Sequence, residues 1–314
     1  MKKRVAYILI AVIVLSVVFA LPVTQKTTIN ITASFDNTVP QIIKISNWKN
    51  WYPDIKRSFI NSPDRYSLTN DSSDKTFTIE IPDRKYVIHA ITPMSYQVRE
   101  ENSHWVDIYA FTFLSTDTAG RLKIDVVKRN PLLFTLLGRN KSGENAINGL
   151  KNYLEDPKLF YGFDIQMSKI RDSVIASSVF KIKKTEIFPK IKFGYRNLLQ
   201  YVSDHNLVKT DHVSISYIPI SEDSIQLTIG VPVNKEGPSE KEITCLALPA
   251  RGNVLTGNYE GLFHDRKAIY LAMSKYLSDH SLSVPAESFE RYLDDSIPTS
   301  DGSFIKIELN YPVF

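Results

Sequence analysis

Tyr201-Val-Ser-Asp-His-Asn-Leu207 recurs 75 residues later as Tyr276-Leu-Ser-Asp-His-Ser-Leu282, and this repeated stretch decides the fold of the second half of the chain. Nine of the thirty positions from 188 to 217 are identical to their counterparts at that spacing, without a gap. A unit of this length is too long for a solenoid repeat, so the sequence predicts one domain with two-fold pseudosymmetry. The identical pairs outside the stretch are Phe188 with Phe263, Lys192 with Lys267, Tyr195 with Tyr270 and Tyr217 with Tyr292.

The two copies have the same order of predicted elements, namely a leading strand, a helix and two further strands. We therefore expect two β-α-β-β units, 175–234 and 241–314, inside a domain that spans 165–314. The interface between such units is a usual place for a ligand. The predicted elements, first copy then second, are leading strands at 176–182 and 241–248, helices at Tyr195–Val202 and Arg266–Leu277, and strand pairs at 213–218 with 225–231 and at 288–293 with 304–311.

The amino end combines three cations, Lys2, Lys3 and Arg4, with an uncharged run from Val5 to Val23. A helix needs about 20 mostly apolar residues to cross a bilayer, so a transmembrane anchor is expected within residues 1–25. Cations before the run predict a cytoplasmic amino end, with the domains on the outer side of the cell membrane, periplasmic or extracellular. A cleaved signal peptide is the alternative, and both interpretations export the rest of the chain.

Residues 26–160 mix strand-like and helix-like patterns and predict an α+β domain. A strand is expected at 28–35, a short helix begins at Pro40, and an amphipathic helix at Glu144–Leu154 closes the domain. Four more strands are predicted at 77–81, 86–91, 106–114 and 122–127.

This order of elements, the segment Asn47-Trp-Lys-Asn-Trp-Tyr-Pro53 and the closing Gly149-Leu150-Lys151 resemble the START/SRPBCC helix-grip superfamily, the polyketide-cyclase-like fold. The resemblance covers about residues 27–156. It implies a cavity for an apolar ligand, such as a lipid, between the sheet and the long helix. Trp48 and Trp51 would line that cavity, and packing in the protein core is the alternative for both.

The last part of the chain resembles the GyrI-like effector-binding domain, also known as the AraC-type effector-binding or SOUL-superfamily fold. The residues that carry the resemblance are Tyr259-Glu-Gly261-Leu-Phe263, Phe289-Glu-Arg-Tyr-Leu-Asp-Asp295 and Tyr311-Pro-Val313. It covers about 165–314 and implies that Glu290 is the carboxylate of a central ligand pocket. Tyr259, Phe263, Tyr270 and Tyr292 are the aromatic residues expected beside it.

The repeat gives Glu290 an apolar counterpart, because the residue 75 positions earlier is Ile215. A carboxylate at such a core position needs a partner, since burying an unpaired charge is costly. Aromatic neighbours and one negative charge would suit a lipophilic cation. The alternatives are an ion pair of Glu290 with Arg291 or Lys267, or a side chain that faces solvent. Alternation along the strand places Glu290 on one face with Ser288 and Tyr292.

The net charge of +4 includes the three amino-terminal cations, and no basic cluster follows them, so nucleic acid is not an expected partner. One cysteine, Cys245, excludes an intramolecular disulfide, and the histidines form no metal-ligand pair. No metal, cofactor or catalytic residue is predicted. The expected function is membrane-anchored binding or sensing of a small hydrophobic or cationic ligand. The alternatives are a hydrolase with Glu290 as acid or base, and a scaffold without a ligand.

Overall fold

A computed structural model describes residues 2–71, 75–103, 106–114, 122–133, 142–171, 174–240, 242–247 and 252–314, which divide into two units, Met1–Asp156 and Pro157–Phe314. Each unit contains one antiparallel sheet with α-helices, so the predicted α+β class is confirmed. Among the residues whose side chains are described, no helix is both long enough and apolar enough to cross a membrane.

The described residues of the first unit form a seven-stranded sheet and five helices. Its strands are β1 (Pro22–Ile31), β2 (Ser67–Asp71), β3 (Thr76–Ile81), β4 (Arg84–Thr92), β5 (Ser95–Glu101), β6 (Val106–Leu114) and β7 (Leu122–Pro131). Its helices are α1 (Lys2–Ala20), α2 (Phe35–Ile43), α3 (Trp48–Trp51), α4 (Pro53–Asn61) and α5 (Ser142–Glu155). The strand order is β1-β7-β6-β5-β4-β3-β2, so β1, the first strand, pairs with β7, the last one in sequence.

The start of the first unit differs from the prediction. The opening strand does not continue to residue 35 but ends at Ile31. Ser34 caps α2 instead, because its Oγ accepts a hydrogen bond from the backbone N–H of Asn37 at 3.3 Å, and serine is a preferred residue at this position. As a result α2 begins at Phe35, and Pro40 lies inside the helix rather than in its first turn.

In the second unit, the part of the chain that the structure describes forms an eight-stranded sheet and three helices. Its strands are β8 (Ile165–Lys169), β9 (Val174–Lys183), β10 (Ser214–Pro219), β11 (Ser224–Val233), β12 (Thr244–Ala247), β13 (Asn253–Leu262), β14 (Phe289–Tyr292) and β15 (Phe304–Pro312). Its helices are α6 (Pro157–Tyr161), α7 (Ile187–Asp204) and α8 (Lys267–Asp279). The order β12-β9-β11-β10-β14-β15-β13-β8 is symmetric about the central pair β10 and β14.

The repeated stretch closes both long helices with the same cap. Asn206 and Ser281 have φ values of 52°, the left-handed conformation that follows a helix end. The N–H of Leu207 donates to the carbonyl of Val202 at 2.9 Å, and the equivalent bond in the second copy runs from Leu282 to Leu277 at 3.0 Å. These bonds, each between residues five positions apart, satisfy carbonyls that the helix leaves unpaired. The Ser-Asp-His-x-Leu repeat therefore encodes a helix stop.

The leading strand of the second copy is β13 rather than the predicted segment 241–248, of which Lys241 and Leu248 lie outside the described residues. Thr244–Ala247 does form a strand, β12, but it pairs with β9 of the first copy at the edge of the sheet. β13 precedes α8 and pairs with β15, as β9 precedes α7 and pairs with β11. Which strands pair depends on contacts far apart in sequence, and a local apolar pattern cannot indicate that.

Both long helices pack on one face of this sheet. Ile191 and Leu198 of α7 lie in one core cluster with Ile215 and Ile229, and α8 packs over β13 in a second cluster. Ile229, Ile215, Glu290 and Leu309 are consecutive partners across four neighbouring strands, so their side chains share this helix-covered face. Glu290 therefore lies at the centre of the sheet, beneath the region between the two helices.

Candidate functional site

Glu290 is a carboxylate inside an otherwise apolar row of the sheet. It lies on β14 between Ile215 of β10 and Leu309 of β15, and its side chain is 0% exposed. Its neighbours in the row are both aliphatic and buried. A carboxylate in such surroundings is stable only if donors satisfy its oxygens.

Three donors contact the two carboxylate oxygens of Glu290. Oε1 accepts hydrogen bonds from Nε of Arg266 and from the hydroxyl of Tyr270, both at 2.8 Å. Oε2 accepts one from the hydroxyl of Tyr292 at 2.6 Å. Tyr217, the counterpart of Tyr292 in the first copy, lies 2.9 Å from it, oxygen to oxygen. The result is a buried network of one carboxylate, one guanidinium and three phenols.

Arg266 also contacts the aromatic residues of the site. Its Cζ atom lies 3.4 Å from the centroid of the Phe263 ring and 5.0 Å from that of Tyr217. One Nη donates to the carbonyl of Phe263 at 2.8 Å. The short 3-10 turn Phe263–Arg266, which joins β13 to α8, fixes this geometry. Glu290 thus holds a cation that lies over an aromatic ring, an arrangement that stabilises guanidinium groups.

The electrostatics keep the phenols protonated and the guanidinium charged. Burial, and then the negative charge of Glu290, raise the pKa of Tyr270 and of Tyr292. The pKa of Tyr217 is raised for the same two reasons. Desolvation alone would lower the pKa of Arg266, but the adjacent carboxylate outweighs it, and the net direction is upward. All the described donors around Glu290 therefore keep their protons at neutral pH.

The predicted site residues divide between this network and other places. Tyr270, Tyr292 and Phe263 lie beside Glu290 or its partner Arg266. Tyr259 is half-buried at the end of β13, where its hydroxyl donates to the carbonyl of Leu262 at 2.6 Å. It packs against the core but makes no described contact with Glu290.

Trp48 and Trp51 belong to the first unit and pack within its core. Their rings are 0% and 2% exposed, and their centroids are 5.0 Å apart. The indole N–H of Trp48 donates to the carbonyl of Ile42, and that of Trp51 donates to the carbonyl of Gln41. The segment Asn47–Pro53 contains the short helix α3, which places both indoles among buried side chains.

The cation that pairs with Glu290 is Arg266, and not Arg291 or Lys267, the two that the sequence offered as alternatives. Arg291 follows Glu290 on β14 and so points to the opposite face of the sheet, where it contacts Glu308 at 3.1 Å. Arg266 has the isoleucine Ile191 as its counterpart 75 residues earlier, as Glu290 has Ile215. A search of the repeat for paired departures from apolar residues would have found both members of the ion pair.

The chemistry of the site favours binding over hydrolysis. Both oxygens of Glu290 already accept hydrogen bonds, whereas an acid or base must reach a substrate or water. Within the described residues, no group of three or more histidine, cysteine, aspartate or glutamate side chains is placed to hold a metal ion.

No family model matches the sequence, and comparison with curated proteins finds no significant match. Solved structures with partial similarity include the EcmrR–DNA complex, at 16% identity and TM-score 0.43 over 57% of this chain and 69% of that chain. SAV2435 bound to tetraphenylphosphonium is 15% identical, with TM-score 0.33, over 48% and 93%. A hydrolase from Listeria innocua is 10% identical, with TM-score 0.34, over 48% and 91%. Likenesses this weak leave the functional conclusion to the geometry of the site.

Proposed function

We propose that this chain reversibly binds a small lipophilic cation at Glu290, and that Arg266 occupies the site until the ligand displaces it. The observation that supports the proposal is the pair of contacts made by Arg266: its Nε donates to the Glu290 carboxylate, and its Cζ atom lies 3.4 Å from the Phe263 ring centroid. A carboxylate and an aromatic face are the groups that recognise an organic cation.

Exchange of one cation for another keeps the charge of the site balanced. Removal of Arg266 alone would leave Glu290 buried and unpaired, which typically costs about 3–5 kcal/mol. A ligand cation that enters as the guanidinium leaves supplies the missing charge. A neutral or anionic molecule of the same shape does not, so the site should discriminate by charge.

Arg266 is placed to leave without a change in the sheet. Its side chain is 19% exposed, while Glu290 is fully buried, so the guanidinium lies at the boundary between the network and solvent. It belongs to the turn before α8 and not to a strand of the sheet. Tyr270 and Tyr292 would remain as donors to Glu290.

The experiment is a calorimetric titration of the full-length chain with tetraphenylphosphonium and with tetraphenylborate, an anion of nearly the same shape. We expect binding of the phosphonium only, and loss of binding in Glu290→Gln. Arg266→Gln keeps a hydrogen-bond donor but removes the competing cation, so it should bind the phosphonium more tightly than the unaltered chain. Glu260→Gln, a change of an exposed carboxylate that pairs with Lys306, is the matched control and should bind normally.

Two results would contradict the proposal. One is binding of the borate as tight as that of the phosphonium, because charge would then play no part. The other is an unchanged affinity in Glu290→Gln. A ligand at one hundred times its Kd adds about 2.7 kcal/mol of stability, so thermal unfolding provides an independent readout.

We further propose that the amino-terminal segment holds the chain at the cell membrane, with the two units on its outer side. The support is the uncharged run from Val5 to Val23 that follows Lys2, Lys3 and Arg4. Extraction of membranes with alkaline carbonate should leave the full-length chain in the pellet, and externally added protease should digest it in intact spheroplasts. Release by carbonate would contradict an anchor, and protection from protease would contradict the orientation.

A further inference from the structure

The second unit has a cavity of about 640 Å³ on the sheet face opposite the helices. Arg291, Glu308, Ser214 and Ser216 lie on its floor, and these residues alternate along their strands with Glu290, Leu309 and Ile215 of the helix-covered face. The cavity is therefore separated from the Glu290 network by the thickness of the sheet. Its volume falls in the usual range for small-molecule pockets, about 300–1,000 Å³.

The cavity exists because the two copies differ on this face. Strand register makes Ser177 equivalent to Thr256 and Gly230 equivalent to Asn310, since each pair joins a leading strand to the last strand of its copy. At five equivalent pairs that line the cavity the first copy carries the smaller side chain, whereas at the pair Ile175 and Val254 it carries the larger one. The five pairs are Ser177 with Thr256, Ser214 with Phe289, Ser216 with Arg291, Thr228 with Glu308 and Gly230 with Asn310.

The hydroxyl groups on the floor of the cavity already donate hydrogen bonds to main-chain carbonyls. Ser216 Oγ donates to the carbonyl of Ser288 at 2.7 Å, and Ser214 Oγ donates to that of Gly230 at 3.3 Å. Ser177 and Thr256 likewise donate to main-chain carbonyls at 3.3 Å. A hydroxyl has one proton and two lone pairs, so each of these oxygens can only accept a further hydrogen bond. The floor consequently favours a ligand that brings donors.

The charges beneath the floor act in the same direction. The Arg291 guanidinium is 6% exposed and lies 3.1 Å from Oε1 of Glu308 and 3.7 Å from Oδ2 of Asp211. Lys169 and Arg171 add positive charge elsewhere in the lining. At the floor itself one cation faces two carboxylates, so this cluster is net negative. It disfavours an anionic head group at the same position.

The walls of the cavity are largely apolar and provide the other half of the recognition. Ile175, Leu246, Val254, Phe289 and Pro312 contribute carbon atoms to the lining. Burial of apolar ligand surface against such walls is favourable. The ligand that fits is an apolar molecule with a hydrogen-bond-donating end.

We propose that this cavity is a second binding site, for an amphiphile whose polar end carries N–H donors, either a neutral primary amide or a primary ammonium. The apolar body would lie against Leu246, Val254 and Phe289, and the N–H groups would donate to the Ser214 and Ser216 oxygens and to Glu308. The site does not depend on the proposed function of Glu290.

The test uses the full-length chain and four probes with one chain length: decanamide, decylammonium, N,N-dimethyldecanamide and decanoate. We expect decanamide or decylammonium to bind, and the comparison between these two identifies which head group the site prefers. N,N-Dimethyldecanamide has no N–H and should bind at least tenfold more weakly, because buried acceptors reject an analogue that lacks the donor. Decanoate should not compete. Tighter binding of decanoate, or equal binding of both amides, would overturn the proposal.

Variants locate the site. Thr228→Trp fills the cavity from its floor and Leu246→Trp from its half-exposed edge, so both should weaken the binding of the best probe at least tenfold. Val179→Trp is the matched control, because Val179 pairs with Thr228 across the strands but does not line the cavity. Leu246 is 50% exposed, so its substitution keeps the test valid if Thr228→Trp fails to fold. Unchanged binding in a folded Leu246→Trp would refute the location.

Glu290→Gln separates this site from the proposed function. It should abolish the binding of tetraphenylphosphonium and leave the binding of decanamide or decylammonium unchanged. Loss of both in Glu290→Gln, with the fold intact by circular dichroism, would mean that the probes share the Glu290 site and that the second site does not exist.

Discussion

Arg266 and Glu290 form an ion pair, 2.8 Å from Nε to Oε1, at two positions that the first copy of the repeat fills with Ile191 and Ile215. Both isoleucines are fully buried in one core cluster. One copy of the repeat thus has an apolar pair where its counterpart has opposite charges. Since a buried ion pair rarely stabilises a fold more than a well-packed apolar pair does, stability alone does not account for the charges.

Replacement of the ion pair by the apolar pair of the first copy tests that account. Arg266→Ile alone leaves the fully buried Glu290 without its counterion and should lower the free energy of unfolding by about 3–5 kcal/mol. Glu290→Ile should cost less, because the 19% exposed Arg266 side chain can turn to solvent. The double variant should be more stable than Arg266→Ile. Urea denaturation of the four proteins measures the cycle, and a double variant as unstable as the sum of the singles would contradict it.

Ser281→Gly should stabilise the second unit, because Ser281 has a φ of 52° at the end of α8. Glycine adopts this conformation without the steric cost that a Cβ brings, and the expected gain is about 0.5–1 kcal/mol. Asn206→Gly, at the equivalent cap of α7, is the matched comparison and should gain less, since asparagine tolerates a positive φ better than serine does. Thermal unfolding measures both. A loss of stability in Ser281→Gly would show that its side chain has another role.

The stability of the second unit should depend on pH through Asp295. Partial burial opposes its ionisation, but hydrogen bonds from Lys209 and from the backbone N–H of Val213, at 3.0 Å for the latter, outweigh burial and lower the pKa of Asp295. An acid with a lowered pKa in the folded state stabilises the fold above its unfolded pKa of about 3.9, and this stabilisation is lost as the pH falls through the folded value.

Asp295→Asn should therefore be less stable than the unaltered chain above about pH 5, and the difference should shrink as the pH falls below about 4. Asparagine also tolerates the positive φ of 56° at this position, so the substitution changes the charge without a backbone penalty. The exposed Asp294 is the control, and Asp294→Asn should not reproduce the pH dependence. A difference for Asp295→Asn that stays constant from pH 7 to pH 3 would refute the role of its charge.

Gly194→Ala should destabilise α7 even though alanine is the better helix former. A Cβ at Gly194 would lie 2.6 Å from Cδ1 of Ile229 and 2.8 Å from the ring of Phe180. Overpacking of this kind costs about 1–3 kcal/mol, more than the roughly 1 kcal/mol that alanine gains over glycine in a helix. Ser203→Ala, on the exposed side of the same helix, should be nearly neutral. Equal stability of Gly194→Ala and the unaltered chain would mean that the helix shifts to make room.

Features that depend on local sequence could be predicted, and those that depend on distant pairing could not. The Tyr201–Leu207 stretch and its copy determine a helix cap through bonds within six residues, and the predicted helices end there. Glu290 could be predicted as a site residue because its counterpart 75 positions earlier in the repeat is the apolar Ile215. The pattern of segment 241–248 predicts a leading strand of the second copy, and this is wrong. The pairing of β12 with β9 of the first copy leaves no signal in the local sequence.

The missing parts of the site have the same explanation. The sequence predicts Arg266 only as the first residue of a helix. Its contact with Glu290 depends on the turn that joins β13 to α8, and the helical pattern does not indicate that turn. The cavity on the sheet face opposite the helices could not be predicted, because it is lined by small side chains such as Ser177 and Gly230 rather than by a motif. β2 and β5 were missed because their polar and charged residues hide the alternation expected of strands.

The order of strands in the second sheet has a consequence for how the two copies are joined. β8 precedes the first copy in sequence but pairs with β13 of the second, and β12 precedes the second copy but pairs with β9 of the first. The first strand of each half pairs with the sheet of the other half, as in a strand-swapped dimer, although here both halves belong to one chain. Cleavage of the chain between the halves would leave each half with an unpaired sheet edge, which the other half covers in the intact fold. Two separately expressed halves should therefore assemble with each other and remain incomplete alone.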